Sequence, residues 1–132
     1  MKAYRLKSPK LRLTEADVAK ACVDVLGLRR YKVVRHNVGR FKTFDDRWIT
    51  IGEPGFPDYI AVHEIYPAIL LETKRPGGIT SPDQERKHVE LALLDLHIVT
   101  IESVEALVVW LDQHEAKMRQ LWQQYTTKSC GS

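Results

Sequence analysis

Two glycines and two prolines fall within the six residues Gly52-Glu53-Pro54-Gly55-Phe56-Pro57. That density breaks helical and β ladders alike, so the stretch is a tight loop whose task is to deliver Asp58. The chain beyond it turns apolar. Residues 58–64 and 68–73, joined across Tyr66-Pro67, read as a hairpin of mostly buried strands, and the second strand closes on Glu72-Thr73-Lys74. Side chains alternate along a strand, so Glu72 and Lys74 share a face, roughly 6.6 Å apart. If the two strands are neighbours, Asp58 meets Glu72 beside an ammonium. Two converging carboxylates repel unless a cation sits between them, so the pattern points to a divalent-metal site next to a polarised water.

Caps and periodicity give the remaining elements. Thr14-Glu15-Ala16-Asp17 predicts a helix with Thr14 as N-cap, running to Leu26 and stopped by Gly27. Its Glu15, Ala19, Cys22 and Leu26 keep the i, i+4, i+7, i+11 spacing, so Glu15 either heads an inward stripe or is a first-turn acid favoured by the helix dipole and free to reach solvent. Residues 31–38 predict a strand ended by Gly39. The polar stretch 40–46 leads into 47–51, a short strand or an extended loop. Ser81-Pro82-Asp83-Gln84 has Ser at the N-cap, Pro at the first helical position and Gln at the third, a helix start that should run to about Leu94. Residues 97–101 predict a strand. Ser103 caps a long final helix carrying Val104, Leu107, Val108, Leu111, Met118 and Trp122 at helical spacing, with 126–132 expected as a frayed, flexible tail. The order α, β, β or loop, ββ, α, β, α predicts an α/β fold, a mixed central sheet flanked by helices.

At 132 residues the chain fits one domain, here expected over 13–125 behind a basic N-terminal arm of residues 1–12. That arm carries Lys2, Arg5, Lys7, Lys10 and Arg12 with no acid, although the net charge of the whole chain is only +3. A basic arm on a near-neutral body suits a polyanion's phosphates. Cys22 and Cys130 are too few for a disulfide framework. With no signal-peptide apolar run and no membrane-length segment, the expected setting is soluble and cytoplasmic, with no membrane contact.

Glu15 on the first helix, Gly55-Phe56-Pro57-Asp58, the strand end Glu72-Thr73-Lys74-Arg75-Pro76-Gly77-Gly78, and Gln84 at the head of a capped helix together resemble the VRR-NUC branch of the PD-(D/E)XK nucleases. The resemblance spans residues 13 to 112 and is to the small stand-alone members of phages and bacteria. It implies a restriction-endonuclease-like PD-(D/E)XK core and a homodimeric, Mg²⁺- or Mn²⁺-dependent endonuclease acting on branched DNA such as four-way junctions. Under it, Asp58 and Glu72 are metal ligands, joined by the Thr73 carbonyl and by Glu15 directly or through water. Lys74 orients or deprotonates the attacking water, and Gln84 holds a water or Lys74. Asp95-Leu96-His97 departs from the pattern, since a glycine is expected where the chain enters that strand.

Other readings of the same residues stay open. Gln84 is also fully accounted for as the reciprocal partner of Ser81 in a capping box. Lys74, Arg75, Arg35, Arg40, Arg86 and Lys87 are candidate phosphate contacts, and so are Arg29 and Arg30, yet each is equally a solvated surface charge. His88, one turn beyond Gln84, either approaches the site or lies at the surface. The five histidines show no zinc-ligand spacing. A sequence-specific restriction-type nuclease and a non-catalytic DNA-binding module are the competing functions.

Overall fold

The structure is a computed structural model and describes residues 12–130. Most of the expected basic arm, and the last two residues of the expected tail, lie outside the described residues. The element order is α1 (Glu15–Leu28), β1 (Lys32–Arg35), β2 (Gly39–Lys42), β3 (Trp48–Ile51), β4 (Tyr59–Val62), β5 (Ile69–Thr73), α2 (Pro82–Ala92), β6 (His97–Ile101) and α3 (Val104–Cys130). Four strands form one mixed sheet in the order β1-β4-β5-β6, antiparallel except for the parallel pair β5–β6 that α2 connects. The fold is therefore α/β, a mixed sheet flanked by helices.

β5 has a neighbour on each side and every one of its residues is buried, in keeping with its run Ile-Leu-Leu-Glu-Thr. Pleating sends Ile69 and Leu71 to one face. There they join Val18, Cys22 and Leu26 of α1 and Leu107 and Leu111 of α3 in a single core. Glu72 lies on the alternate face, where it meets α2. A carboxylate is thus built into an inner strand of the sheet.

Caps Thr14 and Ser81 both form complete capping boxes, and Ser103 Oγ accepts the Ala106 N–H at 3.2 Å. Three expectations need correction. Gly27 does not stop α1, because the turn is made by Arg30 in the left-handed region (φ 70°), with the Tyr31 N–H donating to Leu26 and the Arg30 N–H to Gly27. This pair of bonds satisfies the last carbonyls without a glycine. α3 runs on to Cys130 instead of fraying at Thr126; the hydroxyls of Thr126 and Thr127 bond back to the Trp122 and Gln123 carbonyls, so these residues keep local partners within the helix. The strand expected over 31–38 ends at Arg35, and Gly39, read as its terminator, instead opens β2.

β2 and β3 pair only with each other, as a ribbon separate from the main sheet. Phe41, Phe44, Trp48, Ile49 and Ile51 on it are all exposed. The missing glycine at 95 has a direct counterpart: Asp95 itself takes the left-handed conformation (φ 59°), which short Asp side chains tolerate. Among the described residues, no helix is long and apolar enough to cross a membrane.

Candidate metal centre

Three separate segments converge at one end of the sheet. Glu15 opens α1, Asp58 precedes β4 and Glu72 sits near the end of β5; one carboxylate oxygen from each lies within 4.8 Å of the others. The convergence is enforced by backbone. The His36 N–H donates to the Asp58 carbonyl at 2.7 Å, tying β1 to the loop, and Asp58 Oδ2 accepts the Thr73 N–H at 3.4 Å and Thr73 Oγ1 at 3.5 Å. Pro57 is fully buried, so the residue that aims Asp58 is itself clamped.

Gly55 explains why the loop needs its glycine. It has φ +80°, and a Cβ there would lie 2.4 Å from the Asp83 carbonyl oxygen and 3.1 Å from the Gln84 nitrogen. The loop carrying Asp58 is therefore pressed against the first turn of α2, the helix that carries Gln84. A larger residue would push the two apart.

Glu72 is 1% exposed. Its Oε1 accepts Gln84 Nε2 at 2.8 Å and lies 3.8 Å from Lys74 Nζ, while its Oε2 is buried with no hydrogen-bond partner among the described residues. A buried acceptor left unpaired costs on the order of 1–3 kcal/mol, and more for a charged group, so an orphan oxygen on a carboxylate grouped with two others fits a cation-binding role. Burial, then the negative charge of Asp58, push the Glu72 carboxyl up to about 8. Lys74 opposes the shift and Glu15 adds to it. All the donors are hard oxygens, so the triad could hold a hard cation.

Gln84 serves both of the purposes open to it. Its Oε1 accepts the Ser81 N–H at 3.0 Å, completing the cap, and also accepts Lys74 Nζ at 2.8 Å, while its Nε2 holds Glu72. The cap thus fixes the one amide that spaces the ammonium from the carboxylate. His88 is half-buried with Nε2 unpartnered among the described residues; burial, with a smaller contribution from the Lys74 charge, holds its pKa below the ordinary value.

An open cleft of about 470 Å³ leads away from the carboxylates between α1 and the sheet, and its lining includes Glu15, Asp58, Thr73, Lys20 and Arg35. Arg75 lines a second cleft with Arg12 and Glu15. The other candidate phosphate contacts are placed differently. Arg40 lies on the β2–β3 ribbon, 5.3 Å from the Trp48 ring centroid. Arg86 is ion-paired with Asp83, Lys87 with Glu53 and Glu90, and Arg29 with Asp112 and Glu115. Arg30 serves the turn after α1. Sequence reasoning misses Lys20; its position four residues after Ala16 and five after Glu15 is the signal that brings it to the cleft. Compared with protein-family models, curated protein sequences and solved structures, the chain matches none.

Proposed function

We propose that this protein is a Mg²⁺- or Mn²⁺-dependent endodeoxyribonuclease with a PD-(D/E)XK-type core, acting as a homodimer on branched DNA such as four-way junctions. The observation that carries the reading is the unpartnered, buried Glu72 Oε2 beside Asp58 and Glu15, with Lys74 held at the rim by Gln84. A retired site has no reason to keep three carboxylates together at this desolvation penalty.

Asp58 and Glu72 would hold the ion, with Glu15 and the Thr73 carbonyl completing the oxygen set. When bound, the ion supplies Lewis acidity and an activated water. Lys74 lies 3.8 Å from Glu72 Oε1 and is anchored at 2.8 Å by Gln84, so its ammonium is pre-positioned to orient the attacking water and to balance charge gathering on the phosphate. Gln84 holds Glu72 by Oε1 and leaves Oε2 for the ion. The dimer is supported by the exposed apolar side chains of the ribbon and by Leu121, Trp122 and Tyr125 on the end of α3.

The test is cleavage of a four-way junction, a flap and a plain duplex of shared sequence in Mg²⁺ or Mn²⁺. The expected result is cutting of the branched substrates, lost in Asp58→Ala, Glu72→Ala and Lys74→Ala while circular dichroism stays native. Full cutting by Glu72→Ala overturns the reading. Cutting set by base sequence rather than by branching would instead mark a restriction-type enzyme, and binding without cutting in Mn²⁺ a DNA-binding module.

A further inference from the structure

We infer that Lys20 and Arg35 form a one-phosphate subsite beside the metal centre, gripping the phosphodiester that flanks the scissile one on the same strand. The inference rests on the nuclease reading above. It starts from the cleft between α1 and the sheet, which opens at Glu15 and Asp58 and continues past Lys20 and Arg35 to Asp24.

Arg35 is placed by topology. It ends β1 in register with Tyr59, the residue after Asp58, and the next residue along, His36, bonds the Asp58 carbonyl. Its guanidinium therefore cannot be far from the carboxylates along the sheet edge. Lys20 comes four residues after Ala16 on α1, and Ala16 and Ala19 line the same wall with side chains short enough to let a sugar–phosphate chain approach. Five residues of helix separate Glu15 from Lys20, about 7.5 Å of rise. That offset sets Lys20 beside the carboxylates, within reach of a phosphate next to the scissile one.

Neither cation forms an ion pair among the described residues, in contrast to Arg29, Arg86 and Lys87. Residues 1–11 contain no Asp or Glu. Along α1 the signs run from Glu15 through Lys20 to Asp24, and Arg35 lines the same cleft from β1. A phosphate is welcome beside the two cations and repelled at Asp24. The acid at the far end is what limits the subsite to one phosphate.

Fluorescence anisotropy of a labelled branched DNA with the full chain in Ca²⁺ tests the subsite without requiring turnover. Lys20→Ala and Arg35→Ala should each weaken binding roughly tenfold, and the double variant should flatten the dependence of log affinity on log salt by about 1, the signature of one lost phosphate contact. Asp24→Asn, which removes the repelling end, should tighten binding. Both cations are on exposed side chains, and unchanged thermal melts verify that the variants fold. Wild-type binding retained by Arg35→Ala and Lys20→Ala overturns the subsite and leaves the nuclease reading intact. Failure of the wild-type chain to bind DNA at all overturns both.

Discussion

At Glu72, burial and two neighbouring carboxylates push in one direction and a single ammonium pushes back. In an unfolded chain this side chain titrates near 4.5, and in the fold near 8. Between those values the native protein holds a proton that the unfolded chain has lost, so Glu72 makes stability fall as pH rises through that window and level off above about 8. Glu72→Gln, a neutral residue of the same shape, should remove this slope. Thermal melts of the metal-free protein from pH 5 to 9 should show the variant melting above wild type at pH 8 while its cleavage activity is gone; a variant melting below wild type at pH 8 contradicts the electrostatic account. Gln84 carries a related lesson. Its capping role is readable from Ser81-x-x-Gln84, but one amide serving Ser81, Lys74 and Glu72 together depends on β5 passing beneath α2, and no local pattern encodes that.

Among the elements, the contact between the Gly52–Pro57 loop and α2 is the joint that keeps Asp58 and Glu72 in register. Gly55→Ala places a methyl against the Asp83 carbonyl and forces a left-handed backbone that costs about 1–2 kcal/mol by itself. The expected outcome is a lower Tm together with a loss of cleavage larger than the stability change explains, since α2 carries Gln84. An active Gly55→Ala variant with wild-type Tm would remove the joint from the account. The helix starts, the β4–β5 hairpin and β6 are legible in the sequence because caps and apolar runs are local. The β2–β3 ribbon is only half legible, β3 as one of two alternatives over 47–51 and β2 not at all, because its apolar side chains remain exposed and leave no one-sided alternation to read. Arg30 and Asp95 hide two turns for another reason: each takes a left-handed conformation where glycine is the usual signal.

Over the whole molecule, core and site occupy different parts of one sheet. Leu107 and Leu111 of α3 pack with α1 against β5, whereas the carboxylates sit at the strand ends, so site variants should leave the fold standing. α3 is 27 residues, about 40 Å, and beyond Met118 none of its described residues is buried. A helical end of that length is marginal alone in water. The proposed homodimer would give it cover, and sedimentation should then return twice the 15.2 kDa chain mass; a monomer at micromolar concentration removes the dimer while leaving the metal centre untouched.

The central claim is that Lys74 acts on the reacting water of a centre whose ion is held by Asp58, Glu72 and Glu15. The most direct measurement is the Mn²⁺-dependent cleavage rate of a four-way junction by wild type and Lys74→Ala, with Mn²⁺ affinity measured calorimetrically on both. The account predicts a rate loss of about 10²–10⁴ with Mn²⁺ binding retained. Cleavage by Lys74→Ala at the wild-type rate would contradict it.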